Sequence, residues 1–163
     1  MTDPPANAHE MTPLERGQLW VMLIHNIIAS LAMLAAASVG AAILREQLGV
    51  PPAYLLVPFL LLLIYPALVS PVRNYRAWGY RMDEEELRLA HGVITHVETL
   101  VPLKRVQHLD ISQGPLERAF GVCKLVLHTA GTAHSQVVLP GLSRGTAETM
   151  RDEIRTHIRQ EIE

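Results

Sequence analysis

The chain contains one cysteine, Cys123, among its 163 residues. A single cysteine excludes an intramolecular disulfide and any metal site built from several cysteines. The chain also lacks a basic excess, since its formal net charge is −2. Nonspecific binding to nucleic acid through the phosphate backbone is therefore not expected.

Charged residues are missing from two long blocks near the N-terminus. No charged residue lies between Arg16 and Arg45, or between Glu46 and Arg73, and each block is long enough to cross a bilayer. The preceding stretch MTDPPANAHEMTPLER is acidic rather than basic, which argues against a cleaved signal peptide. The first block is therefore predicted to remain as a membrane anchor.

The second block contains several prolines, which lipid-embedded helices tolerate. Pro51 and Pro52 suit the first turn of a second helix, whereas Pro58 and Pro66 predict kinks. The link between the blocks is short, so the sequence predicts a flexible segment over residues 1–16 and then a two-helix transmembrane hairpin over residues 17–72. Within the first helix, small residues recur every four positions and predict the face that packs on the second helix: Ala32, Ala36 and Gly40.

Two polar residues, His25 and Asn26, lie inside the first block. An intramembrane ionisable residue can mark a proton path or a transport site. However, His25 lies within reach of the lipid headgroups, and the second block has no charged residue to complete a relay. A location near the headgroups is the preferred interpretation.

Arginines are distributed unevenly around the two blocks. Arg73, Arg76 and Arg81 flank the second block, whereas the link between the blocks carries only Arg45 beside Glu46. The positive-inside rule therefore predicts a multi-pass protein of the cytoplasmic (inner) membrane with both termini in the cytoplasm. The three flanking arginines are also the candidate contacts with the membrane surface.

Residues 73–163 have an ordinary soluble composition, with 12 Lys or Arg and 12 Asp or Glu. Two-residue alternation replaces helical periodicity there, and predicts strands over residues 78–82, 87–90, 93–103, 106–111, 122–128 and 136–139. Pro102 indicates a sheet edge or a bulge. A helix capped by Ser143 or Thr146 follows, with one apolar stripe formed by Ala147, Met150, Ile154, Ile158 and Ile162. This order predicts an α+β domain, a curled antiparallel sheet or partly open barrel closed by the C-terminal amphipathic helix.

Two common signatures of phosphate and dinucleotide binding are missing from the sequence. It has no GxxxxGK[ST] phosphate loop and no GxGxxG. Five histidines of the strand region lack the close spacing of a metal-ligand pair: His91, His96, His108, His128 and His134. No catalytic residue, metal or cofactor is predicted, and a metal-dependent enzyme is the least favoured function.

The stretch VPLKRVQHLDISQGPLERAFGV, followed by LVLHTAG and a PGL step, resembles the bacterial pleckstrin-homology (PH) domain of the second type, found in small YdbS-like membrane proteins. The segments RAWGYRM and ELRLAHGVI fit as well. The resemblance implies a PH-like barrel over residues 73–163 on the cytoplasmic face, without enzymatic activity, working alongside a larger membrane protein with several such domains. The positions that match the family motif are Pro102, Arg105, Gln107, Gln113, Arg118, Phe120 and Gly121.

The motif positions leave two interpretations open. Arg105 and Arg118 either bind anionic headgroups or hold strand carbonyls or a carboxylate such as Glu117 or Asp110, and the second, structural role is preferred. Gly121 is predicted to supply a positive φ, and the adjoining phenylalanine is predicted to lie in the core.

The sequence thus predicts a non-enzymatic interaction module, anchored in the lipid bilayer, that assembles with itself or with a larger multi-PH-domain membrane protein. The alternative is a sensor of a small ligand or an anionic lipid. Its obstacle is the acidic turn DEEE at residues 83–86, which repels a phosphorylated headgroup.

Overall fold

The computed structural model of the protein describes residues 11–49, 51–130 and 136–160. The chain divides into two compact units. One comprises Met1–Gln18 together with Asn74–Glu163, and the other comprises Leu19–Arg73. The predicted stripe residue Ile162 and the histidine His134 lie outside the described residues.

Helices account for the apolar part of the chain. They are α1 (Arg16–Leu48), α2 (Ala53–Ile64), a π-helical segment (Tyr65–Val69) and α3 (Ser70–Ala77). In the described part of the chain, two stretches are long and apolar enough to cross a membrane, Arg16–Gln47 and Ala53–Ala77. Pro58 stays within α2, whereas Pro66 lies in the π-helical segment, because a proline there cannot donate the ordinary helical hydrogen bond.

The face of α1 that meets the second helix differs from the predicted one. Gly40 has no atom of another residue near the position of a Cβ, and Ala32 and Ala36 are exposed. Instead, Ser30 and Leu34 share an apolar groove with residues of the second helix, which include Leu60, Leu63 and Ala67. The prediction that the small-residue stripe packs on the second helix was therefore wrong. Ala32 is two positions from both Ser30 and Leu34, and residues two positions apart lie on nearly opposite sides of a helix.

Polar side chains inside α1 bond to their own helix. The Nδ1 atom of His25 lies 2.9 Å from the carbonyl oxygen of Val21, and the Asn26 amide donates to the carbonyl of Met22 at 2.8 Å. Each bond spans four residues, so it satisfies the side chain without a second helix.

Two antiparallel sheets form the other unit. The first has the order β1 (Thr12–Pro13), β2 (Gly79–Met82), β3 (Glu86–His91) and β4 (Val97–Pro102), and the second has the order β5 (Val106–Ser112), β6 (Val122–Thr129) and β7 (Gln136–Ser143). A short helix α4 (Pro115–Ala119) joins β5 to β6, and α5 (Arg144–Gln160) follows β7. Within residues 11–49, 51–130 and 136–160 the two sheets do not close into a barrel, and this PH-like α+β fold confirms the predicted class.

The core lies between the two sheets and α5. Leu87 of β3 and Leu125 of β6 are fully buried, as are Ala147 and Ile154 on the apolar stripe of α5. The Ser143 hydroxyl accepts a 3.1 Å hydrogen bond from the backbone N–H of Thr146, so it caps α5 as predicted.

The segment before α1 is part of this unit. Thr12 pairs with Tyr80 across β1 and β2, and Leu14 is buried in the core. The Glu15 N–H donates to the carbonyl of Gly141 at 2.8 Å. Of the residues predicted as a flexible segment, 11–16 thus pack on the domain, and residues 1–10 lie outside the described part of the chain.

The predicted long strand over residues 93–103 is shorter in the structure. Only Val97–Pro102 forms β4, and a loop precedes it. Gly92 starts this loop with a φ of 105°, and the Thr95 carbonyl lies so close that a Cβ on Gly92 would clash with it. The tight turn at Gly92 therefore interrupts the strand.

Candidate functional site

The motif positions Pro102 and Arg105 lie in the short segment of chain that connects the first sheet to the second. Pro102 ends β4 at the edge of the first sheet, as its lack of an N–H requires. A 3-10 turn, Leu103–Arg105, leads into β5. Leu103 and Val106 point into the core, so the two residues between them, Lys104 and Arg105, are exposed.

Neither motif arginine holds the carboxylates that the sequence suggested. Arg105 and Arg118 are exposed, and neither side chain has an ion pair or hydrogen bond among residues 11–49, 51–130 and 136–160. Lys124 contacts Glu117 instead, with 2.7 Å between Nζ and Oε1, and two histidines contact Asp110. Both guanidinium groups therefore face solvent and can meet a ligand or a partner.

The remaining motif positions shape the turn around α4. The Gln113 amide donates a 2.8 Å hydrogen bond to the carbonyl of Val122, which ties the end of β5 to the start of β6. Gly121 has a φ of 68°, as predicted, and it ends the helical turn after α4. Phe120 is half-buried and lies outside the core cluster, because it follows the last turn of α4 rather than a core-facing position. Gln107 is exposed at an irregularity in the pairing of β5 with β6.

The sequence pointed to Glu117 as a possible partner of an arginine, but it predicted neither the burial of Glu117 nor its pairing with Lys124. Its side chain is almost fully buried on α4 and is paired with Lys124 of β6. A charged residue in a short helical turn gives no periodic signal, and only the packing of α4 against β6 reveals the pair. Burial of one partner makes this ion pair a structural element of the motif region.

The three membrane-flanking arginines have different surroundings. Arg73 is exposed and donates to the Tyr65 hydroxyl at 3.2 Å. Arg76 is exposed on α3. Arg81 bonds to Asp83 at 2.9 Å, so its charge is partly neutralised by the acidic turn.

The acidic turn at residues 83–86 is held by basic residues of the adjoining strands. Arg81 of β2 and Arg88 of β3 both contact Asp83, and Arg88 also binds Glu86. Leu103 N–H donates to the carbonyl of Glu85 at 2.9 Å, which fastens the turn to the motif. These ion pairs are half-exposed, so they reduce the local negative charge without removing it.

A free strand edge carries exposed apolar side chains. Among the residues that the structure describes, the strand β4 pairs with β3 alone, so its other edge offers backbone N–H and C=O groups to another strand. Leu100 of this strand is 52% exposed, and Ile94 in the preceding loop is 98% exposed. Apolar groups beside a free edge are typical of a surface that binds another protein chain.

The histidines fall into distinct environments. The ring of His91 stacks on Trp78, with centroids 4.5 Å apart, and His157 contacts the Glu153 carbonyl on α5. His108 and His128, by contrast, flank Asp110 on the outer face of the second sheet. Sequence spacing missed this cluster because its two histidines lie on different strands, although the alternation of His108 and Asp110 along β5 is visible in the sequence.

Comparisons with known proteins agree on one family. A sequence profile of the bacterial PH domain matches residues 24–158. The transmembrane protein YdbS of Bacillus subtilis (strain 168) is 33% identical over 91 residues, which are 56% of this chain and 55% of that protein. The transmembrane protein YdbT of the same organism is 25% identical over 86 residues, which are 52% of this chain and 17% of that protein. The aligned part of the chain thus spans about half the length of YdbS and a smaller share of YdbT. No solved structure matches the chain.

Proposed function

The chain belongs to the bacterial PH domain family, and from this premise we propose that it is a non-enzymatic interaction module anchored in the membrane. The module assembles with a second copy of itself, or with a related membrane protein, at the cytoplasmic face. The observation that carries this proposal is the free edge of β4 with the exposed side chains of Ile94 and Leu100.

Membrane anchoring is supported by two candidate spanning stretches and by the name of the relative YdbS, a transmembrane protein. In the proposed arrangement, residues 17–72 form the transmembrane hairpin and residues 73–163 form the cytoplasmic domain. The excess of arginine beside the second stretch, against the single pair of Arg45 and Glu46 in the link, supports an inner-membrane protein with both termini in the cytoplasm.

Assembly through β4 has a direct physical basis. A strand that pairs on one side only gains main-chain hydrogen bonds when another strand aligns with it. Burial of an exposed leucine or isoleucine adds about 1.5–3 kcal/mol per side chain. A second copy presents the same edge, so two copies can pair around a two-fold axis.

A sensor of anionic ligands is the second candidate function. The exposed guanidinium groups of Arg105 and Arg118 favour it, because neither is engaged by a carboxylate among the described residues. The acidic turn at residues 83–86 disfavours it, since Glu84 and Glu85 are exposed and repel a phosphorylated headgroup. The interaction module is therefore the preferred function.

Site-specific photo-crosslinking in native membranes tests the proposal. A photo-reactive residue at Leu100 should give a crosslinked product, identified by mass spectrometry as this chain or a related PH-domain protein. The same residue at Thr149, which is exposed on α5, is the control and should give much less. Leu100→Glu, combined with the photo-reactive residue at Ile94, should weaken the product.

Two further variants separate the functions. Crosslinking at Leu100 should persist when Arg73, Arg76 and Arg81 are all changed to Gln, because strand pairing needs no headgroup. Saturable binding of glycerol 3-phosphate to the full-length protein in micelles, lost in Arg105→Gln or Arg118→Gln, would favour the sensor. Equal crosslinking at Leu100 and Thr149 would contradict assembly through β4.

A further inference from the structure

An apolar groove, here named the hairpin groove, lies between α1 and the second long apolar stretch. It runs along residues 27–34 of α1 and along residues 60–68, which belong to α2 and the π-helical segment. Of the nine described residues that line it, eight are apolar and the other is Ser30. Its volume is about 200 Å³. The two helices therefore leave a space that an apolar group can fill.

The hairpin groove matches one leaflet of a bilayer in length. Residues 60–68 extend over about 12 Å at 1.5 Å per residue, and half of the hydrocarbon layer is about 15 Å thick. A helix is about 10 Å wide, so one turn of a third helix fills about 420 Å³. That is more than the volume of the groove, which is about 200 Å³. The dimensions therefore favour a single acyl chain of a lipid over another helix.

A cationic side chain lies beside one end of the hairpin groove. Tyr65 is in the same turn as Ile64 and Leu68, which both line the groove. The Tyr65 hydroxyl accepts a 3.2 Å hydrogen bond from Nη1 of Arg73, so the guanidinium group is directed back along the helix toward Leu68. Both polar side chains are exposed. A guanidinium group has five N–H donors, so most of them remain available to a lipid phosphate.

The π-helical segment brings Arg73 into line with Tyr65. The backbone N–H of Ser70 donates to the carbonyl of Tyr65, five residues earlier, whereas an ordinary helical bond spans four residues. In a regular α-helix, residues eight positions apart are rotated by about 80° from each other, and one extra residue reduces this angle to about 20°. Segments of this kind are frequent at functional sites.

The charges of the unit Leu19–Arg73 favour an anionic lipid. Its sequence holds three Asp, Glu, Lys or Arg residues, which are Arg45, Glu46 and Arg73. Arg45 and Glu46 lie near the end of α1, beyond the groove, which reaches residue 34. The unit thus supplies a cation but no carboxylate beside Leu68. A phosphate gains a partner there, whereas the ammonium group of a zwitterionic headgroup does not.

From these observations we propose that the hairpin groove binds one anionic glycerophospholipid. One acyl chain lies between α1 and α2, and the headgroup phosphate binds the guanidinium group of Arg73, which Tyr65 holds in place. A basic group beside a space between membrane helices suits an anionic headgroup. The site rests on the proposed anchoring in the membrane and does not depend on assembly through β4.

Lipid titration of the full-length protein in detergent micelles tests the headgroup contact, with native mass spectrometry as the readout. The probes are phosphatidylglycerol, which is anionic, and phosphatidylcholine with the same acyl chains, which is zwitterionic. The wild type should bind one phosphatidylglycerol per chain, several-fold more tightly than phosphatidylcholine. Arg73→Gln should weaken the binding of phosphatidylglycerol at least about tenfold, since it removes a hydrogen bond to a charged group, and should abolish the preference. The matched control Arg45→Gln should keep both affinities.

A second pair of variants tests the acyl-chain contact. Ala67 lines the hairpin groove, so Ala67→Phe fills it and should weaken the binding of both lipids by the same factor, because their chains are identical. Ser30→Leu fills the groove from α1 and should act in the same way. Ala32→Phe adds the same ring at an exposed position of α1 and should bind both lipids as the wild type does.

Extraction of membranes with alkaline carbonate distinguishes failure of the site from failure of the anchor. Release of the protein by carbonate would overturn the anchoring and the lipid site together. The site alone is overturned if the protein stays in the membrane but binds both lipids equally, or if Ala67→Phe and Ser30→Leu keep full affinity. A lipid-free dimer that Ala67→Phe dissociates would place a second copy in the groove and would also overturn the site.

Discussion

The Tyr75 hydroxyl donates a 2.8 Å hydrogen bond to the carbonyl oxygen of Leu14, although the two residues lie 61 positions apart in the chain. Leu14 belongs to the hydrophobic core, and Tyr75 packs against that core. The bond therefore ties the segment before the first long helix to the end of α3. Leu14 and Tyr75 thus belong to the same compact unit, although the stretch Leu19–Arg73 separates them in sequence.

Tyr75→Phe is expected to destabilise the domain by about 1 kcal/mol, because it removes this one hydrogen bond and leaves the Leu14 carbonyl without its partner. Chemical unfolding of the full-length protein in micelles measures the change. Tyr54→Phe removes a hydroxyl from an exposed tyrosine and serves as the control. Equal stabilities of the two variants would show that the bond adds nothing to the fold.

Two glycines with the same backbone conformation should respond differently to alanine. Gly121 and Gly141 both have a φ of 68°, which costs a side-chain-bearing residue about 1–2 kcal/mol. A Cβ on Gly121 meets no other residue, whereas a Cβ on Gly141 would overlap Gln18 and approach Leu14. Gly141→Ala should therefore lower the free energy of unfolding clearly more than Gly121→Ala. Thermal melting of both variants makes the comparison, and equal losses would argue against close packing of the N-terminal segment.

The closing helix offers a test of its orientation. Ile154 is fully buried on α5 and Arg155 is exposed. Ile154→Asp buries a carboxylate in the core at a cost of several kcal/mol, about 3 or more. Limited proteolysis should then degrade the PH-like domain, while Arg155→Asp should leave its resistance almost intact. Similar resistance in both variants would mean that this stripe of α5 does not pack on the sheets.

The buried thiol of Cys123 should make the free energy of unfolding fall at alkaline pH. Burial raises the pKa of the Cys123 thiol above its ordinary value of 9.0, and Glu148 raises it further while Arg144 opposes the shift. The folded state therefore favours the neutral thiol. Its contribution to stability is complete below pH 9 and is lost as the pH rises through the folded pKa.

Cys123→Val keeps an apolar side chain at this position and removes the titrating group. Unfolding of the wild type and of this variant between pH 8 and pH 11 isolates the effect, because other titrating groups are common to both proteins. The wild type should lose stability relative to the variant above about pH 9. Parallel pH profiles would contradict the proposed protonation state.

Membrane topology can be measured directly. Reporter fusions at Met1 and Glu163 should both be active on the cytoplasmic side, and a tag at Gly49 should be accessible only from outside, because arginines flank the second apolar stretch. An enzymatic reporter with side-dependent activity gives the answer in intact cells. An external C-terminal reporter would reverse the orientation and move the β4 surface away from the cytoplasm.

Residues that are close together in the sequence determine much of the secondary structure of this protein. The two uncharged blocks, the alternation that marks most strands and the positive φ at Gly121 follow from neighbouring residues. The apolar stripe of α5 also follows, since helical periodicity places Met150 and Ile154 on one face. The family motif then identified the PH-like fold, because it combines turn and core residues within one short stretch.

Only the tertiary structure decided which distant residues meet. The packing of Leu14 in the core, the Glu117–Lys124 pair and the His108–Asp110–His128 cluster each join segments that are separate in sequence. Such contacts depend on strand register and on how a helix is rotated about its axis, and a shift of one residue in a strand moves every side chain to the opposite face. The sequence alone therefore determined which elements form, whereas the packing of those elements determined which side chains come together.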